Sequence, residues 1–311
     1  MKALVPLLTA VLIAGVAAES LAEGRFQGPL RKRMAERLEQ RAQPGRAAKE
    51  HPVDLQAILP GARKTTAAYG PDRAQQLDIY TPPGAKDAPI IVMVHGGAWK
   101  VGDKANAGVV ENKLKYWLPK GYVVVSVNYR MLPAAMAYEQ ALDVALALEW
   151  TQARAQEWGG DNRKIILMGH SAGAHLVALL SSRPSMVRQG WAGTVVLDSA
   201  TLKVSETMKG RHPDFYDEAF GADPAYWAKA SPMDQWTPEA IPMMVVCSTR
   251  RPDKPCNDAK AFQALVRRQG RDMPVLTQNL THADINANLG LPGAYTTAVD
   301  AFIRTRIEFR P

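Results

Sequence analysis

The chain predicts an α/β fold built on a mostly parallel central sheet of about eight strands flanked by helices. Two observations carry this expectation. From Thr65 onward, short β-rich runs alternate with longer helical patterns, the rhythm of βαβ units. Residues 90–94, 122–127, 164–168 and 194–197 are continuously apolar or β-branched, as strands buried on both faces are.

These four runs form the expected sheet centre. Residues 65–69 and 76–80 read as two earlier strands joined by the turn Gly70-Pro71-Asp72, an antiparallel edge, and residues 243–247 and 274–278 as the last two strands. Helical patterns occupy residues 106–118, 138–157, 173–181, 258–269 and 295–306. Residues 200–242 break the rhythm, holding six of the 22 aromatics among several prolines, and read as an insertion over the top edge of the sheet.

Composition narrows the class. The 311 residues are 47% hydrophobic and 22% charged, which excludes disorder along most of the chain, and a chain of this length needs no disulfide or metal to build a core. The net charge of +8 taken alone suggests a nucleic-acid partner, but most of the excess lies in one segment. Residues 24–49 carry eight basic and two acidic side chains. That pattern reads as a solvated linker or surface helix, with contact to anionic lipid or polysaccharide as the alternative. No nucleic-acid partner is expected.

Residues 1–22 have the three parts of a secretory leader: Lys2, an apolar run from Ala3 to Ala18, and the small-x-small signal Ser20-Leu21-Ala22. The expected layout is therefore a leader over 1–22, a basic linker over 23–60 and one domain over 61–311. The mature protein is expected in the periplasm or outside the cell, without stable membrane insertion; a retained anchor is the alternative. The two cysteines, Cys247 and Cys256, would then meet an oxidising compartment. A bridge between them would close a loop of about ten residues and contribute roughly 2 to 3 kcal/mol; the alternative is a buried free Cys247 and an unrelated Cys256.

The strongest chemical signal is Gly169-His170-Ser171-Ala172-Gly173, between a strand and a helical run. This is a G-x-S-x-G elbow in its required context, where a serine on a strained turn projects its hydroxyl above the sheet. The second signal, His95-Gly96-Gly97-Ala98-Trp99, follows the 90–94 strand. Its adjacent glycines allow backbone N–H groups to approach a ligand oxygen. With the N–H of Ala172, those of Gly96 and Gly97 are expected to form an oxyanion hole; His95 is expected to brace the loop. No HExxH, CxxC or phosphate-binding loop is present, so no metal or organic cofactor is implied.

With these motifs in order, preceded by Leu77-Asp78-Ile79-Tyr80-Thr81-Pro82 and separated by Asn128-Tyr129-Arg130 and Trp158-Gly159-Gly160-Asp161, the sequence resembles the α/β-hydrolase family. The resemblance is to its esterase and lipase branch with an HGG loop, and it runs from about Ala68 to Thr305. It departs from the HGGG form at Ala98. It implies an α/β-hydrolase fold and an exported serine hydrolase that cleaves small-molecule carboxylic esters through a Ser-His-Asp triad and an acyl-enzyme. Amide hydrolysis and a non-catalytic binding protein on the same fold are the alternatives.

The family's chain order of serine, acid and histidine implies His282, just past the last strand, as general base; His212 falls in the insertion. For the acid, family placement after the strand ending near Cys247 points to Asp253, with Asp258 and Asp198 as alternatives. A Cys247–Cys256 bridge would close the loop bearing Asp253 and hold the acid in position. Oligomeric state is not readable from the sequence.

Overall fold

A computed structural model describes residues 53–308. The expected leader, and residues 23–52 of the expected linker, lie outside the described residues. Described residues 53–60 are not linker. They hold a short helix, α1 (Leu55–Ile58), capped by Asp54, whose carboxylate accepts from Ala57 N at 3.0 Å. Val53, Leu55, Ile58 and Leu59 pack on the domain core, so the expected boundary at residue 61 falls too late. The polar surroundings of these few apolar residues hid their anchoring role.

Eight strands form one sheet: β1 (Arg63–Ala68), β2 (Gln76–Thr81), β3 (Ala88–Val94), β4 (Val123–Val127), β5 (Gly160–His170), β6 (Gly193–Leu197), β7 (Met243–Ser248) and β8 (Val275–Gln278). Their order is β1-β2-β4-β3-β5-β6-β7-β8. The β1–β2 and β2–β4 pairs are antiparallel and every later pair is parallel.

Alternation along the central strands feeds two cores. Ile90, Val92 and Val94 of β3 and Ile165 and Leu167 of β5 face one; Ile91 and Met93, and Ile166 and Met168, face the other. All nine are fully buried. Each contributes roughly 1.5 to 3 kcal/mol of burial, which explains why these strands read as unbroken apolar runs.

Helices α2 (Ala107–Trp117), α3 (Ala137–Arg154) and α4 (Ala172–Ser182) follow β3, β4 and β5. The insertion forms three short helices, α5 (Val204–Lys209), α6 (Phe215–Phe220) and α7 (Pro224–Ala230). It is anchored by aromatic packing: buried Trp99 lies 4.9 Å from the ring of Phe220 and 5.3 Å from that of Tyr216. Tyr226 adds a tie to α3, donating to Glu139 at 2.7 Å.

Three helices remain: α8 (Pro255–Arg268), α9 (His282–Ala287) and α10 (Ala294–Glu308). The sequence reading placed no helix at α9. A capping box defines it: Thr281 Oγ1 accepts from Asp284 N at 3.2 Å while the Asp284 carboxylate accepts from Thr281 N at 3.4 Å. Among the described residues, no helix is long and apolar enough to cross a membrane.

Lys113 of α2 fastens α9 from beneath. Its buried ammonium donates to the backbone oxygen of Asn286 at 2.8 Å and to its side-chain oxygen at 2.9 Å. With no carboxylate partner there, burial pushes the Lys113 amine down to about 7. The unfolded chain therefore keeps a proton that the folded protein releases between about 7 and the ordinary 10.5. The stability contributed by this position rises with pH across that window and is flat below it. Wild type should accordingly gain stability over Lys113→Met between pH 7 and 9.5, by on the order of 3 kcal/mol, read from urea midpoints. An equal pH dependence in both proteins would rule this out.

Candidate active site

Ser171 stands where β5 gives way to α4, with φ 57° and ψ −118°, a conformation that costs a non-glycine residue about 1 to 3 kcal/mol. Three backbone hydrogen bonds hold it there. Its N–H donates to Leu197 O at 3.0 Å, and its carbonyl accepts from Ala200 N at 3.2 Å and His175 N at 3.1 Å. The flanking glycines answer to close packing of backbones. A Cβ on Gly173 would lie 2.4 Å from the carbonyl oxygens of Val94 and His95, and one on Gly169 would lie 2.4 Å from Gly173 O. Any larger residue would push α4 off the end of β3.

His282 opens α9 and faces the serine. Its Nε2 lies 2.8 Å from Ser171 Oγ, and its Nδ1 lies 2.5 Å from Asp198 Oδ2. The carboxylate at Nδ1 selects the tautomer with its hydrogen there, which leaves Nε2 free to accept from the hydroxyl. His170 stands behind, its ring 4.5 Å from that of His282, and donates from Nε2 to the His282 carbonyl at 2.9 Å. Burial, and then the neighbouring His282, hold His170 well below the usual imidazole range, so it orients the backbone of His282 as a neutral donor.

The acid at this position is Asp198, and the expectation of Asp253 is corrected. Asp198 follows β6 directly, at φ 48°, and is fully buried. Its Oδ1 accepts from Ser248 N at 2.8 Å. Burial by itself would raise this carboxyl, but the hydrogen bond from His282 and the charge of Arg251 outweigh it and lower its pKa.

Asp253 lies on the loop after β7 with a side chain 52% exposed, bound through Oδ1 to Arg251 Nε at 3.0 Å and through Oδ2 to Arg251 Nη2. The guanidinium that flanks Asp253 in sequence captures it. Asp258, the other alternative, sits in the first turn of α8, where burial and then the Asp253 carboxylate raise its pKa. The signal for Asp198 is register: His170 pairs with Leu197, so Ser171 and Asp198 leave adjacent strands at one level. Pairing of that kind is absent from a linear pattern.

The loop after β3 passes over the serine. A Cβ on Gly96 would lie 2.8 Å from Ser171 Cβ, and Gly97, at φ 124°, could carry no side chain because a Cβ would meet Val101 O at 1.8 Å. Ala98 and Trp99 also have positive φ. Ala172 heads α4, and its N–H has no acceptor within the helix. Gly96 and Ala172 are thus brought to the serine, and Gly97 follows Gly96 on the same loop.

His95 is buried beneath, stacked on Tyr129 with ring centres 4.6 Å apart, while Tyr129 Oη donates to His95 O at 2.9 Å. His175 accepts from Trp99 Nε1 at 3.3 Å and donates to Ala230 O at 2.8 Å, and burial pushes it down to about 4. His212 sits on the insertion and pairs with Asp217. Among the described residues no group of three His, Cys, Asp or Glu side chains is placed to hold a metal ion.

Cys247 and Cys256 form a disulfide between the end of β7 and the start of α8. It closes the loop that holds Arg251 and Asp253. The bridge therefore secures a neighbour of the acid, where the sequence reading had it securing the acid itself.

The BD-FAE family model matches residues 77–189, which include the loop after β3 and Ser171. Esterase LipC of Mycobacterium tuberculosis (strain ATCC 25618 / H37Rv) is 29% identical over 222 residues, covering 65% of this chain and 55% of LipC. Esterase LipQ of the same organism is 29% identical over 238 residues, covering 68% of this chain and 56% of LipQ. The chain thus spans about half the length of these relatives. Among solved structures, Thermogutta terrifontis esterase 2 phosphonylated by sarin superposes with a TM-score of 0.66 at 22% identity, over 79% of this chain and 95% of that one. That likeness concerns the fold. Over residues 77–189 the chain is similar to the BD-FAE family, and the curated relatives it matches are esterases.

Proposed function

We propose that this protein hydrolyses carboxylic esters through an acyl-enzyme, with Ser171 as nucleophile, His282 as general base and Asp198 as the acid that orients it. The observation that carries this reading is the hydrogen-bonded series itself, 2.8 Å from Ser171 Oγ to His282 Nε2 and 2.5 Å from His282 Nδ1 to Asp198 Oδ2. The esterase relatives support the class of bond. Ser171 Oγ attacks the ester carbonyl carbon as Nε2 takes its proton. The carbonyl oxygen becomes an oxyanion, met by N–H groups from Gly96, Gly97 and Ala172; each such donor is worth about 2.7 to 4 kcal/mol in the transition state. The C–O bond then breaks, Nε2 returns the proton to the departing alcohol, and water repeats the cycle on acyl-Ser171 to release the acid.

Asp198 suits its role because it remains ionised in a buried position, stabilising the imidazolium that forms at each transfer. We further propose export of the chain. The leader-like residues 1–22 support it, as does the disulfide, a bond that persists in oxidising compartments.

Three outcomes are expected. Ser171→Ala should lose at least about 10⁴-fold in kcat on p-nitrophenyl acetate and all labelling by a fluorophosphonate probe; full turnover or labelling in that variant would overturn the reading. Asp198→Asn should lower kcat by roughly 10³ to 10⁴-fold with the fold intact by circular dichroism, and an unchanged kcat would remove Asp198 from the mechanism. Terminal sequencing of the protein recovered from cells expressing the full chain should begin at Glu23, whereas an intact Met1 terminus on all of it would exclude cleavage of the leader.

A further inference from the structure

Among the described residues, Arg251 is the one lysine or arginine paired with the buried acid, and the hydrolytic cycle above makes no use of it. Its guanidinium has two working edges. Nη1 lies 3.2 Å from Asp198 Oδ2 and donates to the carbonyl oxygens of Asp198 at 3.2 Å and Ser199 at 3.0 Å. The opposite edge, Nε and Nη2, grips Asp253. The same Nη1 stands 3.4 Å from His282 Nδ1, the nitrogen whose hydrogen is already directed to Asp198. That contact cannot be a hydrogen bond while Nδ1 donates. It is a fixed positive charge beside the ring that must become positive.

We propose that Arg251 is a positioning residue of this site: it fixes the Asp198 carboxylate against His282. The inference rests on the roles given above to Ser171, His282 and Asp198. A carboxylate at positive φ on a turn is held by the Ser248 N–H on one oxygen and by His282 and Arg251 on the other. Two carbonyl contacts by the same guanidinium then pin the turn that bears it.

The loop holding Arg251 is itself fixed. The Cys247–Cys256 disulfide closes it, Ser248 Oγ donates to Leu280 O at 2.6 Å, and Asp253 clamps the guanidinium from the solvent side. The exposed Asp253 thus acts on the site at one remove.

The other groups around His282 do not duplicate this charge. His170 is a neutral donor to its carbonyl, and Asp284 on the same helix is committed to Thr281. Lys113 reaches α9 only through Asn286, and Tyr295 Oη donates to Ile285 O. Removing Arg251 therefore leaves the Asp198 carboxylate to the Ser248 N–H and His282, free to turn away from Nδ1.

The experiment compares wild type, Arg251→Met, Arg251→Lys and Asp253→Asn on p-nitrophenyl acetate from pH 5 to 9. Arg251→Met should lower kcat by about tenfold to a hundredfold with KM within about twofold. Arg251→Lys keeps the charge and loses the fork, so it should recover only part of that kcat. Asp253→Asn, which releases the clamp but keeps the guanidinium, should lower kcat less than Arg251→Met. A kcat within about twofold of wild type in Arg251→Met, or a loss confined to KM, would overturn the proposal.

If Arg251→Met does not fold, Arg251→Lys and Asp253→Asn decide alone, and wild-type kcat in both would refute it. The low-field proton between His282 Nδ1 and Asp198, followed by NMR against pH without substrate, separates this idea from the hydrolase reading. Its resonance should weaken and broaden in Arg251→Met even if no ester is turned over; an identical resonance in the two proteins would sink the proposal while leaving Ser171 reactivity to be judged by the fluorophosphonate probe.

Discussion

The site depends on the parallel ladder of β5 and β6 continuing one step beyond the strands. Ser171 N–H reaches Leu197 O, and Ala200 N–H returns to Ser171 O, so a serine and an aspartate in backbone conformations that neither favours are held at adjacent ends of the sheet. Each such residue costs about 1 to 3 kcal/mol, and the cost is sustained because central strands buried on both faces cannot shift to relieve it. Rigidity in the middle of the molecule becomes precision at its edge.

Around that pair, each supporting element is a short polar link with an apolar anchor. The loop after β3 is clamped by Tyr129 from below and by Trp99 from the side, and Trp99 in turn holds the insertion. His175 connects the same indole to Ala230, so the insertion, the nucleophile helix and the glycine loop share one buried junction. The aromatics of residues 200–242 that pack on Trp99 are core residues in that sense.

Much of this was legible in the chain itself. The unbroken apolar runs marked the four central strands, β3 to β6, because strands covered by helices on both faces carry no polar alternation to confuse the reading. The glycines around Ser171 were legible for a related reason: backbones that pack within 2.4 Å of a would-be Cβ leave no substitute. Asp198 was harder. It differs from any other aspartate at a strand end only by standing level with Ser171, a property of register. Asp253 was expected from family placement after β7, yet it is its neighbour Arg251 that reaches the buried carboxylate. Helix α9 escaped notice because six residues are too few to display a period, although Thr281 and Asp284 spell its cap.

The two ends of the sheet carry a separate consequence. β1 closes one side as an exposed strand that begins with Arg63 and Lys64, and β8 closes the other with four residues. Strands finishing a sheet offer unpaired amides to any passing chain, and natural proteins blunt them by charge or brevity. Here both devices are used, one at each margin, so that crowding should not recruit further copies into a growing ribbon.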